Sequence, residues 1–414
     1  MDLTNINVSV SSFEKKHLAE FNTPPEFIEK MLDTLPSDFW SSPKKIFEPC
    51  AGKGLIIFSL FNRFFKSLKD FIISDEERKI FIIEHCLFFA DINESNIIII
   101  ETALRSLSSK KDILINSFCG NSLNYIATGF DLVISNPPFN TSEDNKNVIW
   151  PQFIRTSLES WIASDDGYLL FITPPGWRKP DKERSKYSGL FNLMTKKNTM
   201  LHLQMHSKKD GRTTFKCNTF FDWYLIQNKI NINSLTNVID ELGEKHLVQM
   251  HTWSWFPSAN IPMVQKLIGS GGVEERCPII YSRSAYGTDK AHVQENEDSK
   301  HPFICIHSTL KKSTRYMYSS IDSRGHFGIK KVIFGESGIY NPIIDMEGKY
   351  GMTHCAMAIQ IETLEEGENI CKAITSPKFT ELMKTSCILS SFRIEWSIFL
   401  QFRKSFYKEF IYIV

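Results

Sequence analysis

Short apolar runs that alternate with helical patterns of apolar residues organise the first 230 residues of the chain. Apolar runs between turn residues are typical of buried strands, and apolar residues spaced by three and four are typical of helices that pack on one face. Strands that alternate with helices predict an α/β fold with a doubly wound, mostly parallel sheet. The seven strand-like runs are residues 45–48, 88–91, 113–119, 131–135, 167–173, 200–206 and 218–227.

The pattern changes after about residue 230, where the alternation of strands and helices ends. Shorter strand-like runs with Gly and Asn turns follow, and they predict a second, α+β domain. A chain of 414 residues is long enough for about two or three domains. We therefore predict two domains, residues 1–230 and residues 231–414.

Composition places the chain among globular proteins, with 42% hydrophobic and 23% charged residues. The net charge is only +1, so nucleic-acid binding would have to come from local clusters of basic residues. Nine cysteines without a Cys-x-x-Cys pair indicate reduced thiols in an intracellular protein. No signal peptide and no long apolar run is evident, so we expect a soluble protein without a membrane partner.

The strand-like run 131–135 ends in Asn136-Pro137-Pro138-Phe139. Two prolines cannot donate to a ladder, so the strand must stop and turn there. An amide, a bare carbonyl on Pro137 and an aromatic face would then stand at the carboxyl end of a strand, where open α/β sheets place their sites. This trio suits the binding of a planar amine, although the motif alone is also compatible with a plain strand-ending turn.

Three segments upstream predict a ligand site at the same edge of the sheet. Thr23 is a suitable N-cap for a helix that begins at Pro24-Pro25, and exposed N–H groups there could hold a carboxylate. The turn from Glu48 to Gly54 joins a strand to a helix, but Leu55 replaces the Ser or Thr of a phosphate-binding loop. The acid Glu48 favours a cationic or amine-bearing ligand instead. Asp91 ends the second strand, where a ribose diol is bound in dinucleotide-type folds.

With these segments in this order, the chain resembles the amino-methylating DNA methyltransferases that use S-adenosylmethionine, and in particular the gamma-type adenine-N6 subgroup. Phage, viral and restriction-modification members are similar. The resemblance covers about residues 20–228 and implies a methyltransferase sheet followed by a C-terminal target-recognition domain. It also implies cofactor-binding roles for Thr23, Pro24, Glu48, Ala51, Gly52, Gly54, Asp91, Ile92, Asn121 and Asn136.

The resemblance implies that Asn136, Pro137, Pro138 and Phe139 are catalytic and act on the N6 amine of an adenine flipped out of double-stranded DNA. Asn121 stands where the family usually has Asp. Either Phe215 or Phe220 would be an additional aromatic residue near the target base. Neither a metal nor a covalent intermediate is expected, since positioning and electrostatics suffice. We expect a monomer, and the resemblance leaves room for a separate cognate restriction endonuclease.

Basic clusters with interleaved aromatic residues predict where DNA phosphates bind, although each could be an ordinary solvated face. Two of them, residues 176–186 and 206–212, follow strand-like runs of the first domain. The third lies in the second domain and comprises Lys311, Lys312, Arg315, Arg324, Lys330 and Lys331.

Other activities share the same turn motif. Methyltransferases that act on an RNA base amine or on a protein glutamine also use Asn-Pro-Pro-aromatic turns, whereas N4-cytosine enzymes typically have Ser in place of Asn136. A catalytically silent nucleic-acid-binding module is the alternative outside the enzymes. The long basic C-terminal region favours DNA as the partner.

Overall fold

The computed structural model describes residues 22–140, 147–163, 166–268, 275–281, 286, 290–387 and 396–411. The chain divides into two compact units, Met1–Phe256 and Pro257–Val414. The predicted boundary near residue 230 differs from this division, because two further strands after that point continue the first unit's sheet.

The first unit contains one nine-stranded sheet, so the predicted count of seven was too low. The two additional strands are the last two along the chain. The strands are β1 Ile46–Glu48, β2 Leu87–Asp91, β3 Asn116–Cys119, β4 Leu132–Ser135, β5 Tyr168–Thr173, β6 Thr199–His206, β7 Phe221–Gln227, β8 Thr236–Ile239 and β9 Lys245–Val248.

The strand order is β3-β2-β1-β4-β5-β7-β6-β8-β9. β1 to β5 are mutually parallel, β7 runs antiparallel to both β5 and β6, and β8 is again parallel to β6. The fold is therefore α/β with a mixed, mostly parallel sheet. The strand order reverses at β1, which has β2 on one side and β4 on the other, and such a reversal opens a crevice at the carboxyl ends of the strands.

Helices cover the sheet with apolar faces that the sequence spacing explains. The helix Glu94–Arg105 buries Ile97, Ile100 and Leu104 and leaves Ile98 57% exposed. Each fully buried side chain of this kind contributes about 1.5–3 kcal/mol. The helices of this unit are α1 Pro25–Leu32, α2 Leu55–Ser67, α3 Asp75–Phe81, α4 Glu94–Arg105, α5 Trp150–Thr156, α6 Leu190–Asn192 and α7 Lys208–Phe215.

The second unit combines helices with two four-stranded sheets, of strand order β10-β17-β14-β15 and β11-β13-β12-β16. Its strands are β10 Ile279–Ile280, β11 Val293–Gln294, β12 Phe303–Thr309, β13 Thr314–Ser319, β14 Lys331–Gly335, β15 Ile343–Asp345, β16 Gly351–Met352 and β17 Ala356–Gln360. Its helices are α8 Ile261–Leu267, α9 Leu364–Thr375, α10 Pro377–Leu382, α11 Trp396–Phe399 and α12 Lys408–Ile411.

Within the described part of the chain, every helix is too short or too polar to cross a membrane.

Candidate active site

The carboxyl ends of β2, β1 and β4 lie side by side, because these strands are adjacent and parallel. Glu48 ends β1, Asp91 ends β2, and Asn136 follows Ser135 at the end of β4. The sheet thus brings three segments that are distant in sequence to one edge, as the order of the motifs predicted.

The turn between β1 and α2 depends on glycine at two positions. Gly52 and Gly54 have φ angles of 50° and 85°, in the left-handed region that other residues rarely adopt. A Cβ on Gly54 would also lie 2.6 Å from Ile100 Cγ1. The Ala51 N–H donates to the Ala90 carbonyl at 2.9 Å, which ties the turn to β2. The backbone from Ala51 to Gly54 therefore forms a tight turn at the carboxyl end of β1.

Asp91 organises this turn with both of its carboxylate oxygens. Its Oδ2 accepts from the Gly52 N–H at 2.8 Å, and its Oδ1 accepts from the Asn93 N–H at 2.8 Å and from Asn96 Nδ2 at 3.2 Å. Burial raises the pKa of Asp91, and these hydrogen bonds act in the opposite direction. Among the described residues Oδ1 accepts two of these bonds and Oδ2 accepts one, so Oδ2 can still accept from a ligand hydroxyl.

Glu48 lies beneath the turn and is only 2% exposed. Its Oε2 is buried and has no hydrogen-bond partner among the described residues. Burial, followed by the nearby Asp91 charge, raises the pKa of Glu48 well above its usual value. A buried carboxylate oxygen without a partner is costly, so this position favours a cationic ligand group that would pair with Oε2.

The turn Asn136–Phe139 contacts the segment that leads into α1. Asn136 Nδ2 donates to Thr23 Oγ1 at 3.4 Å. The prediction that Thr23 caps the helix was wrong: Pro24 is the N-cap, without a side-chain cap bond, and its carbonyl accepts the first helical N–H from Phe27 at 2.9 Å. The Thr23 hydroxyl instead links the start of α1 to the Asn136 amide.

The remaining predicted site residues differ in what they offer a ligand. Pro137 is buried, and Pro138 and Phe139 are half-buried. Ile92 is 68% exposed directly after β2, so its side chain can pack on a ligand. Asn121 is exposed, but its Oδ1 accepts from the Leu123 N–H at 3.1 Å and caps a short 3-10 turn. Part of its acceptor capacity is therefore used locally.

Two basic residues that the sequence assigned to phosphate contacts are buried instead. Arg178 is fully buried, and its Nε donates to Asp222 Oδ2 at 2.8 Å. Lys331 is fully buried, and its Nζ donates to Asp345 Oδ2 at 3.0 Å. Both assignments were wrong, because the sequence did not show that an acid 44 or 14 positions away would pair with each residue.

The two candidates for the additional aromatic residue near the target base, Phe215 and Phe220, lie in different environments. Phe215 is 5% exposed and packs in the hydrophobic core against Phe27 and Phe221. Phe220 is half-buried, with Lys208 Nζ at 5.1 Å from its ring centroid. Phe220 is thus the one of this pair whose ring lies outside the core.

A group that sequence reasoning missed lies at the turn between β8 and β9. Ligand atoms of Asp240, Glu244 and His246 lie within 4.8 Å of one another. Asp240 Oδ1 accepts from the N–H groups of Leu242 and Glu244, and its Oδ2 lies 3.2 Å from His246 Nε2. These hydrogen bonds stabilise the hairpin turn, and this structural role explains why the three side chains lie close together.

A known protein family matches the segment of the chain that contains this site. Residues 8–172 match the model of the N-6 DNA methylase family. This match covers less than half of the chain, but it contains every predicted cofactor-binding and catalytic residue from Thr23 to Phe139. No curated protein matches the sequence.

Solved structures of restriction-modification enzymes are similar to the chain at low sequence identity. A nuclease-deletion mutant of the Type ISP enzyme LlaGI, in complex with a DNA substrate mimic, has a TM-score of 0.51 and 10% identity over 89% of this chain and 53% of its own. The Type IIL enzyme MmeI in complex with DNA has a TM-score of 0.48 and 8% identity over 95% of this chain and 69% of its own.

A type I methyltransferase subunit from Streptococcus thermophilus has a TM-score of 0.37 and 12% identity over 56% of this chain and 51% of its own. The chain thus spans about half of the length of this subunit and of LlaGI. The similarity to LlaGI shows the fold, an α/β methyltransferase-like sheet.

Proposed function

We propose that the chain is a DNA methyltransferase that transfers a methyl group from S-adenosylmethionine to the N6 amine of an adenine flipped out of double-stranded DNA. The observation that carries the proposal is the position of Asn136-Pro137-Pro138-Phe139 at the same edge of the sheet as Glu48, the Gly52–Gly54 turn and Asp91. The family match over residues 8–172 supports the same chemistry.

The residues around the glycine turn fit S-adenosylmethionine. The unpartnered, buried Oε2 of Glu48 would pair with the ligand's positively charged amino group, and Asp91 Oδ2 has one lone pair left for a ribose hydroxyl. The left-handed backbone at Gly52 and Gly54 leaves room for close approach. Ala51 would shape the turn, while Thr23 and Pro24 would line the methionine end. The exposed Ile92 side chain would pack on the ligand's adenine, and Asn121 would contact that ring through its amide.

When bound, S-adenosylmethionine supplies the methyl group as an electrophile on a sulfonium. The residues of this chain would activate and orient the acceptor. Asn136 Oδ1 and the Pro137 carbonyl would accept hydrogen bonds from the exocyclic amine, whose lone pair is otherwise delocalised into the purine ring. These two acceptors would favour a pyramidal, more nucleophilic nitrogen, and such preorganised dipoles are a main source of catalysis.

Phe139 would stack on the extruded base, and the rigid prolines would hold the two acceptors at a fixed angle. Extrusion of the base is required because N6 is inaccessible within a duplex, and unstacking costs a few kcal/mol. Phe220, which lies outside the core, is the proposed additional aromatic contact. For the second unit we propose target recognition, supported by the exposed Lys311, Lys312 and Arg315.

Incubation of the protein with radiolabelled S-adenosylmethionine and unmethylated genomic DNA, followed by nucleoside analysis, tests the proposal. N6-methyladenine in the DNA is the expected product. N4-methylcytosine, or label found only in added RNA or protein, would contradict it, and label found nowhere would support a silent binding module. Asn136→Ala in parallel shows whether the product depends on this site.

A further inference from the structure

A basic loop at residues 179–189 follows β5 and the 3-10 turn Pro175–Arg178. It contains four basic and two acidic residues, and Lys182, Arg184 and Lys186 are exposed. Its shape is set by its own hydrogen bonds: the Gly189 N–H donates to Asp181 Oδ2 at 2.8 Å, and the Ser185 N–H donates to the Lys182 carbonyl at 2.8 Å. The basic side chains are therefore carried on an ordered backbone.

This loop is attached to the segment that follows the Asn-Pro-Pro-Phe turn. The Tyr187 ring stacks on Trp150 with centroids 5.3 Å apart and an interplanar angle of 26°. Lys186 Nζ donates to Asn147 Oδ1 at 3.0 Å, and Arg155 Nη2 donates to the Ser188 carbonyl. Three side-chain contacts thus join the basic loop to residues 147–155.

The same segment is bonded back to the turn itself. The Ile149 N–H donates to the Phe139 carbonyl at 3.2 Å, and Asn140 and Val148 form an antiparallel bridge. A contiguous chain of contacts therefore runs from Tyr187 through Trp150 and Ile149 to Phe139.

The Tyr187 ring also packs against Gly176. A Cβ on Gly176 would lie 2.8 Å from Tyr187 Cζ, so the ring packs directly on the backbone after β5. Two residues later the buried Arg178 is anchored to Asp222 on β7. The ring is held by the turn after β5 as well as by Trp150.

We propose that the basic loop binds DNA phosphates next to the extruded base, and that Tyr187 is a positioning residue that sets the distance between this phosphate contact and Asn136–Phe139. The proposal rests on the proposed function. It deepens that function by assigning a backbone-binding element to the first unit and by connecting it to the catalytic turn. The phosphate contact would fix the register of the duplex without reading sequence.

Tyr187→Leu removes the stacking, and Tyr187→Phe is the matched control that retains it. For Tyr187→Leu we expect at least a tenfold loss in kcat/KM for DNA, with cofactor affinity by calorimetry unchanged. We also expect faster deuterium uptake in the peptide that contains Ile149, because its bond to Phe139 loses support. Tyr187→Phe should match the parent protein in all three measurements.

The charge of the loop is tested by the salt dependence of DNA binding. Lys182→Gln with Arg184→Gln should reduce the slope of log affinity against log salt by about 0.9 for each phosphate that the loop no longer neutralises. Lys69→Gln with Lys111→Gln is the matched control, because these exposed lysines follow α2 and precede β3, at the opposite edge of the sheet. An unchanged slope in the loop variant would overturn the phosphate contact.

These outcomes separate the two proposals. A parent protein that methylates DNA, together with a Tyr187→Leu variant of unchanged kcat/KM and unchanged deuterium uptake, would overturn the role of Tyr187 and leave the proposed function intact. A parent protein that neither binds nor methylates DNA would contradict the proposed function, and with it the phosphate contact.

Discussion

The Asn136 amide nitrogen and the Thr23 hydroxyl lie 3.4 Å apart, although 113 positions separate the two residues in the chain. The contact uses a donor of Asn136 and does not use its acceptor oxygen. It also brings the entrance of α1 to the end of β4. Two distant parts of the matched family segment, residues 8–172, therefore meet at the group that we propose as catalytic.

Replacement of Asn136 should separate catalysis from cofactor binding. Asn136→Ala removes one of the two acceptors proposed for the amine, and loss of one preorganised hydrogen-bonding group of this kind costs about 100- to 1000-fold in kcat. Cofactor affinity should change by less than about fivefold, since Glu48 and Asp91 remain. Labelled methyl transfer and calorimetry measure the two effects. Asn237→Ala, an exposed asparagine on β8, is the control, and equal activity of both variants would remove Asn136 from catalysis.

Asp91 should matter for both cofactor binding and stability, because its carboxylate accepts from three donors around the glycine turn. Asp91→Ala leaves the Gly52 and Asn93 N–H groups without this acceptor, and a buried unsatisfied group costs about 1–3 kcal/mol. Cofactor affinity should fall at least tenfold in titration calorimetry, with a lower Tm. The exposed Asp112→Ala should change neither. Unchanged affinity in Asp91→Ala would exclude Asp91 from the site.

The sequence predicted the strand ends well because Gly and Pro mark them locally. Asn136-Pro137 and Gly52–Gly54 impose turns that tertiary contacts do not need to specify. Pairing over long distances could not be predicted in the same way. The sequence around Arg178 is typical of a solvated basic segment, and only the fold shows that Asp222 on β7 pairs with Arg178. The sequence around Thr23 is typical of a helix N-cap, and only the fold shows that its hydroxyl contacts Asn136. β8 and β9 were missed as sheet strands because exposed Leu247 and neighbouring polar residues weaken their apolar pattern.

Cofactor affinity should rise with pH through the raised pKa of Glu48. Burial and the Asp91 charge favour the protonated acid in the free protein. A cationic ligand favours the carboxylate, so binding below this pKa releases a proton and is weaker. Calorimetry in buffers of different ionisation enthalpy measures the proton release. Glu48→Gln should remove the pH dependence along with much of the affinity, and a pH-independent affinity in the parent protein would contradict the role of Glu48.

The same carboxylate should destabilise the ligand-free protein. Because the folded pKa lies above the unfolded value, the penalty is absent in acid, grows as pH rises above about 4.5 and is complete above the folded pKa. Glu48→Gln should therefore raise the Tm of the ligand-free protein more at pH 8 than at pH 5. A Tm difference that is independent of pH would mean that the penalty comes from packing and not from charge.

Arg178 and Arg184 should behave oppositely although both belong to one basic segment. Arg178→Ala leaves Asp222 as an uncompensated buried charge, and breaking a buried ion pair costs about 3–5 kcal/mol. Arg184 is exposed, so Arg184→Ala should change the free energy of unfolding by less than about 0.5 kcal/mol. Urea denaturation of both variants measures the contrast. Similar stabilities would show that the pair between Arg178 and Asp222 contributes little.

Acid should lower the free energy of unfolding of the first unit, because two half-buried histidines lie on β6. His202 stacks on Trp223 with centroids 4.5 Å apart, and His206 stacks on Phe221 at 4.4 Å. Burial lowers the pKa of each imidazole from 6.5 to about 4. The unfolded chain therefore takes up these protons first, so stability is complete above pH 6.5 and is lost as pH falls towards 4, by on the order of 3 kcal/mol for each ring.

The double variant His202→Phe with His206→Phe keeps both stacks but cannot take up these protons. Its free energy of unfolding should fall less between pH 7.5 and pH 4.5 than that of the parent protein, measured by urea denaturation at each pH. His85→Phe, at an exposed position before β2, should leave the pH dependence as it is. If the double variant follows the parent curve, the acid sensitivity arises elsewhere, and the neutral state of these two rings does not contribute to the stability of the sheet.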